Sequence, residues 1–290
     1  MQKITLLICI WLVVLTGCTK SNDTPSETIP PESATKIQNV MYGSHTRQAM
    51  DVYLPANRNA NTPLVILIHG GGWTAGDKKD FNGVQQALSD SGIATVSINY
   101  RYVSSTIHYE HLMEDVRMAL EYCVDKATAW NIRNTKIILT GASAGAHMSL
   151  LYGYGFDTEN RVSGIISLAG PTNFTVLEYH AYAALIGLGT NIYNMVGATY
   201  TIGQPLDEKF AKASPVTYNK NVPTLLIHGD ADLVVPYGQA IDLRDKLQSK
   251  GYTYKLETIV GGGHDLGLAN PIVALRVYGE VVSWARLYSK

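Results

Sequence analysis

Charge of one sign, cofactor fingerprints and metal-type clusters are what this sequence has least of. Lysine and arginine number 23 against 24 acidic residues, a formal net charge of −1, so no basic field points to nucleic acid. There is no Walker loop, no dinucleotide fingerprint and no histidine–cysteine spacing of the metal-binding kind, so the reading assigns neither a metal nor a cofactor. No internal repeat occurs, which excludes solenoids and propellers. Cysteine is scarce: Cys9, Cys18 and Cys123 are the three in 290 residues. Apolar residues, by contrast, make up 46% of the chain and charged residues 16%, enough for a sizeable core and too apolar for disorder. The length suits one large α/β domain or two small ones.

The first 17 residues read as a leader. Lys3 supplies a positive start, Ile4 to Leu15 is an apolar run too short to span a bilayer comfortably, and Leu15-Thr16-Gly17-Cys18 closes it. This resembles a bacterial lipoprotein signal. The resemblance implies removal of residues 1–17, diacylation of Cys18 and attachment to a membrane of the bacterial cell envelope. Thr19, where inner-membrane retention would place Asp, implies the outer membrane, on its periplasmic or surface face. An ordinary secretory signal and an uncleaved anchor are the alternatives. Residues 18–35 are rich in Ser, Thr, Pro and acidic side chains and read as a disordered tether, followed by a domain over 36–290. With Cys9 and Cys18 so used, Cys123 has no disulfide partner, and its apolar helical neighbours predict a buried thiol.

Strand-like and helical stretches then alternate. Lys36 to Tyr42 and Ala49 to Leu54 predict an opening hairpin. Leu64-Val65-Ile66-Leu67-Ile68 is an unbroken apolar run of the kind buried on both faces of a sheet. A helix is predicted over Asp80 to Ser91 and a strand over Ile93 to Ile98. Tyr109 to Trp130 is an amphipathic helix by its spacing of Leu112, Val116, Ala119, Leu120 and Val124. Strands follow near Lys136–Leu139, Val162–Leu168, Thr224–Ile227 and Thr253–Val260, with helices over Ala146–Leu151, Gln239–Lys250 and Ile272–Leu287. The alternation predicts an α/β fold with a mostly parallel sheet covered on both faces. Residues 171–215 interrupt it with a segment rich in Tyr, Gly and Ala, read either as a small cap or as extra scaffold helices.

Four stretches carry chemistry. Gly141-Ala142-Ser143-Ala144-Gly145 sits where a strand turns into a helix, the nucleophile-elbow pattern, which lifts Ser143 off the sheet and puts the Ala144 amide at a helix N-terminus. His69-Gly70-Gly71-Gly72-Trp73 follows a buried strand, and its glycine amides can aim at one developing negative charge. Asp232, in His228-Gly229-Asp230-Ala231-Asp232 after the strand Thr224–Ile227, and His264, after Gly261-Gly262-Gly263, complete the order serine, acid, histidine. Each lies just past a strand, where open parallel sheets assemble their sites. His69 reads as a structural hydrogen-bonder, and His147, His108 and His111 lie in or near helices.

Together with Gly76-Asp77-Lys78, Asn99-Tyr100-Arg101-Tyr102 and His228-Gly229-Asp230-Ala231-Asp232, these motifs resemble the α/β-hydrolase superfamily from about Leu64 to the end of the chain. The resemblance is to HGGG-type esterases, nearest the bacterial feruloyl and acetyl-xylan esterase-like group, with the hormone-sensitive-lipase-like enzymes nearby. It implies a serine carboxylic-ester hydrolase needing no metal or cofactor. Ser143 would be the nucleophile, His264 the base and Asp232, rather than Asp230, the acid; the amides of Gly71, Gly72 and Ala144 would form the oxyanion hole. The implied partner is a small or glycan ester of short-acyl or feruloyl type. Tyr179, Tyr182, Tyr193 and Tyr200 in the 171–215 segment either stack on a sugar or phenolic ring or simply pack the cap. An amidase or peptidase of the same fold, and a non-catalytic surface lipoprotein, are the competing readings.

Overall fold

The computed structural model describes residues 29–290. Residues 1–17, Cys18 and the first part of the expected tether lie outside the described residues. Among the described residues no helix is long and apolar enough to cross a membrane.

Eight strands form one sheet: β1 (Thr35–Met41), β2 (Ala49–Leu54), β3 (Leu64–Ile68), β4 (Ala94–Ile98), β5 (Ile137–Ala142), β6 (Val162–Leu168), β7 (Thr224–Gly229) and β8 (Tyr254–Ile259), in the order β1-β2-β4-β3-β5-β6-β7-β8. The first two pairings are antiparallel and the rest parallel. The continuous apolar run of β3 is explained by its place. Leu64, Ile66 and Ile68 enter one core and Val65 and Leu67 the other, because successive side chains point to opposite faces. Helices α2 (Tyr109–Trp130), α3 (Ala144–Leu151) and α7 (Gly238–Ser249) contribute to the first core, and α1 (Asn82–Asp90) and α8 (Pro271–Tyr288) to the second. Helix α2 buries Leu112, Val116, Ala119, Leu120, Cys123 and Ala127 along one stripe and ends at Asn131, whose left-handed φ of 52° closes it. Cys123 is fully buried, and burial pushes its thiol well above the usual range.

Two expected boundaries move for local reasons. The helix expected over 80–91 is split: Asp77 caps a short 3-10 turn, Lys78–Phe81, before α1 begins at Asn82. Helix α3 starts at Ala144 rather than Ala146, directly after the elbow serine.

The tether is shorter than expected. Residues 29–34 belong to the domain, and β1 opens at Thr35. Buried Arg58 donates to the carbonyls of Ile29 (3.0 Å), Pro30 (2.9 Å) and Ser33 (2.8 Å), and to Trp130 at the end of α2 (2.7 Å). Composition missed this because it scores side chains, whereas the strap is held by its backbone carbonyls.

Residues 171–215 form α4 (Leu177–Leu185), α5 (Gly189–Val196) and α6 (Glu208–Lys212). Their small core is aromatic: His180 packs against Tyr193, Tyr200 and Phe210 with ring centroids 6.2, 5.1 and 4.8 Å away. The segment is pinned at its base, where Gln239 Oε1 accepts from the amides of Thr172 and Asn173 (2.8 and 2.7 Å).

A buried ion pair ties the 3-10 turn before α1 to the sheet. Lys78 Nζ lies 2.8 Å from both carboxylate oxygens of Asp51 and 2.9 Å from Asn39 Oδ1. Both charged side chains are at most 3% exposed, so removing one leaves the other uncompensated in a poor dielectric. Lys78→Met is expected to lower unfolding free energy by about 3–5 kcal/mol in urea titrations. The double variant Lys78→Met/Asp51→Asn recovers part of that loss.

Candidate active site

The site begins with a close approach of backbone. An added Cβ at Gly145 would lie 1.9 Å from the Ile68 carbonyl oxygen, and one at Gly141 would lie 2.3 Å from the Gly145 carbonyl carbon. Only glycine lets α3 cross the ends of β3 and β5 this tightly. Between them Ser143 takes φ 53° and ψ −119°, a conformation that costs a non-glycine residue about 1–3 kcal/mol. The surroundings hold it there: its amide donates to Leu168 O (2.8 Å) and its carbonyl accepts from His147 N (3.0 Å).

The glycine loop lies against this elbow, since a Cβ on Gly70 would fall 3.3 Å from Ser143 Cβ. Gly71 and Gly72 have φ of +105° and +56°. The Gly71 carbonyl is turned away, accepting from Thr74 N and Ala75 N (3.1 and 2.9 Å). The amides of Gly71 and Gly72 donate to no group among the described residues. His69 behaves as the structural hydrogen-bonder its position suggested. Its Nδ1–H donates to Gly70 O (2.7 Å), its Nε2 accepts from Arg47 Nη2 (3.1 Å), and its ring stacks on Tyr100 at 4.4 Å. The hydroxyl of Tyr100 donates back to His69 O (3.0 Å), and that of Tyr102 to Gly76 O (2.5 Å). The Asn99–Tyr102 motif is therefore a brace for the glycine loop.

Asp232 and His264 come together past the ends of β7 and β8. A Cβ on Gly229 would meet Gly262 O at 2.1 Å, so the two loops are pressed against each other. His264 Nδ1 lies 2.8 Å from Asp232 Oδ2. A carboxylate only accepts, so Nδ1 carries the proton and Nε2 is left with a free lone pair. Asp232 Oδ1 accepts from the amides of Val234 (2.8 Å) and Val235 (2.9 Å). Burial opposes ionisation of this carboxyl, but hydrogen bonds from His228, His264, Val235 and Val234 outweigh it and hold the group well below the usual carboxylate range. Asp230 points elsewhere: its Oδ1 accepts from Gly261 N (2.6 Å) and splints the two loops.

A cavity of about 380 Å³ brings Ser143, His264, Gly71, Gly72 and Ala142 together, walled by Val234 of the acid loop and Leu188 at the start of α5. Ser143 Oγ has no hydrogen-bond partner among the described residues, so the hydroxyl faces the cavity without being bonded to His264. The 171–215 segment thus reaches the cavity through Leu188, and Asn191 secures it by donating to Thr74 Oγ1 (3.1 Å). Of the four tyrosines singled out in that segment, none lines this cavity. Tyr193 and Tyr200 pack on His180 instead.

The roles of two histidines are not readable from the sequence. His228 Nε2–H donates to Val235 O (2.9 Å) and lies 3.3 Å from Asp232 Oδ2, so it shapes the acid loop from beneath. Its place four residues before Asp232 was the available signal. His147 is fully buried in α3. It accepts from Trp73 Nε1 (3.2 Å) and its Nε2–H donates to Ala213 O (2.8 Å), joining glycine loop, elbow helix and the end of the insertion. A lone polar side chain in an apolar helix demands such partners.

Chemically, the arrangement offers an unbonded hydroxyl, an imidazole with a free nitrogen and two unspent amides bordering one cavity, with a buried carboxylate behind the imidazole that orients it. A family model described as BD-FAE matches residues 50–247, a span that takes in the glycine loop, the elbow and the acid loop. The chain belongs to the BD-FAE family. Curated relatives of this BD-FAE chain include the isoprenylcysteine alpha-carbonyl methylesterase ICME of Arabidopsis thaliana, 27% identical over 256 residues, covering 81% of this chain and 58% of the relative. Esterase LipC of Mycobacterium tuberculosis is 26% identical over 248 residues, covering 79% and 59%. The chain therefore spans less than two thirds of the length of these relatives. Among solved structures, a truncated carbohydrate esterase from gut microbiota superposes with a TM-score of 0.72 at 23% identity, covering 91% of this chain and 99% of that one. Esterase B from Lactobacillus rhamnosis gives 0.66 at 19% identity, covering 89% of each. The fold is that of the α/β-hydrolases.

His147 makes the architecture of the site sensitive to acid. Burial lowers its pKa to about 4, the bond to Ala213 opposing the shift. The unfolded chain binds this proton near 6.5, so stability is full above that value and falls between pH 6.5 and 4. The loss is on the order of 1.4 kcal/mol per unit of that window. A His147→Gln variant is expected to show a shallower fall of unfolding free energy over the same range; an equal slope would remove His147 as the cause.

Proposed function

We propose that this protein is a serine carboxylic-ester hydrolase. The observation that carries the reading is the bond from His264 to Asp232 at the rim of the cavity that Ser143 shares with the Gly71 and Gly72 amides. In this mechanism Ser143 Oγ attacks the acyl carbonyl and His264 Nε2 takes its proton. Asp232 fixes the imidazole tautomer and stabilises the imidazolium. The amides of Gly71, Gly72 and Ala144 receive the oxyanion, each such donor being worth about 2.7–4 kcal/mol of barrier. His264 then returns the proton to the departing alkoxide, and water releases the acid by the same steps in reverse.

The substrates are short-acyl or feruloyl esters of carbohydrates. A cavity of about 380 Å³ walled by Leu188 and Val234 accommodates a small or flat acyl group. The esterase names of the curated relatives support ester hydrolysis, and the carbohydrate esterase among the fold neighbours supports a sugar-borne ester.

Ser143→Ala is expected to abolish ester turnover and labelling by a fluorophosphonate while circular dichroism stays native. Asp232→Asn is expected to lose activity on the order of 10⁴-fold, as for the mis-set tautomer of the serine-protease triad. Asp230→Asn, which touches only the loop splint, loses far less. A folded Ser143→Ala protein with wild-type turnover would end the proposal. Turnover of formyl-amide or peptide substrates with esters untouched would replace it by an amidase.

The leader belongs to the same proposal: Cys18 carries a diacyl anchor in the bacterial envelope, the location at which decorated glycans are met before import. Cys18→Ser is expected to lose fatty-acid label and membrane sedimentation; unchanged sedimentation and label would refute it.

A further inference from the structure

A second concavity flanks the acid loop and has no part in the mechanism above. It encloses about 330 Å³ between α4 and the start of α7, and Tyr179, Tyr182, Glu178, Pro236 and Asp242 border it. Its position follows from the acid loop. Val234 walls the cavity of Ser143, while Pro236, two residues on, walls this groove. Tyr182 closes the gap between them by donating its hydroxyl to Leu233 O (2.5 Å).

The chemistry of the lining is specific. Tyr179 is only 5% exposed, yet its hydroxyl has no hydrogen-bond partner among the described residues. Burial, with the charge of Asp232 adding to it, pushes this phenol well above its ordinary range, so it stays a protonated donor. Its hydroxyl oxygen is not sealed from solvent, so it is open to an acceptor on a ligand in the groove. Asp242 Oδ2 accepts from Asn173 Nδ2 (2.9 Å), which fixes the carboxylate, and no protein group among the described residues bonds to its Oδ1. Glu178 is exposed on the same border and makes no ion pair among the described residues. Aromatic faces beside the fixed carboxylate of Asp242, the exposed one of Glu178 and a free phenol suit a neutral ring that carries hydroxyls: the ring lies on the apolar face while its hydroxyls donate to carboxylates and accept from the phenol.

The groove lies within reach of the reacting ester. The departing alkoxide receives its proton from His264 Nε2 inside the cavity that Val234 walls, and Pro236 on the same loop borders the groove, so an alcohol that leaves the cavity across Val234 reaches the groove. We propose that the groove bordered by Tyr179, Glu178 and Asp242 is a sugar subsite that holds the ring next to the esterified one. It rests on the carbohydrate-ester reading above and adds where the glycan is gripped.

The test compares kcat/KM on acetylated xylo-oligosaccharides with kcat/KM on p-nitrophenyl acetate, for the whole chain and for Tyr179→Phe and Glu178→Ala. Each variant removes one hydrogen-bonding group and leaves the acid loop bonded to Tyr182. The ratio of glycan ester to aryl ester is expected to fall about 3- to 10-fold in each, chiefly through KM, as one hydrogen bond is lost. An unchanged ratio in both variants, with wild-type protein active on the oligosaccharide, overturns the subsite alone. An equal fall on both esters also overturns it, because the groove would then act only by shaping the acid loop. Wild-type protein that hydrolyses the aryl ester but no sugar ester overturns the carbohydrate reading and the subsite together.

Discussion

Nothing larger than hydrogen fits between Gly145 and the carbonyl oxygen of Ile68. That contact sets the distance between the elbow helix and the central strands, and the rest of the site is arranged around it. It lets α3 begin at Ala144, immediately after the strand, so Ser143 is forced into a left-handed turn whose cost is met by packing on both sides. It also brings the glycine loop, which continues from Ile68, against the face of Ser143. A methyl group at residue 145 would separate strand from helix and move hydroxyl and loop amides apart together. Placement within a few tenths of an ångström matters here because misplaced donors lose most of their electrostatic effect.

Much of this was legible because each chemical element coincides with a local rule. Gly-x-Ser-x-Gly needs two positions without Cβ, and both turned out to be steric necessities. The apolar run Leu64–Ile68 announced a strand covered on both faces, whereas order alone could not separate Asp232 from Asp230, and only the family resemblance preferred Asp232. What stayed hidden depends on partners distant in sequence. His147 bonds to the indole of Trp73 and the carbonyl of Ala213, partners that no spacing rule identifies, whereas His228 had its place four residues before Asp232 as a signal. The insertion was legible as a break in the alternation, but not which of its residues would face the cavity. Leu188 does so because the α4–α5 turn points inward, whereas the more conspicuous Tyr193 and Tyr200 were needed to surround His180. The strap over residues 29–34 was misread because its hold is on backbone oxygens.

His147 shows how the insertion and the reactive loops are made one mechanical unit. A single imidazole receives the Trp73 indole from the glycine loop and donates to Ala213 at the insertion's end. Trp73 and Phe174 pack edge-on around it, with centroids 5.3 and 5.2 Å away. The insertion therefore cannot shift at Ala213 without pulling on the loop that supplies Gly71 and Gly72. Its two ends are coupled to different parts of the site, one to the glycine loop through His147 and the other to the acid loop through Tyr182.

The strap held by Arg58 has a geometric consequence. Arg58 binds beside Trp130 and Pro55, at the end of the sheet where the parallel strands begin, whereas Ser143, Asp232 and His264 stand where strands end. The strap and the reactive side chains therefore occupy opposite ends of the sheet, so loosening the strap changes the stability of the domain rather than the geometry of the site.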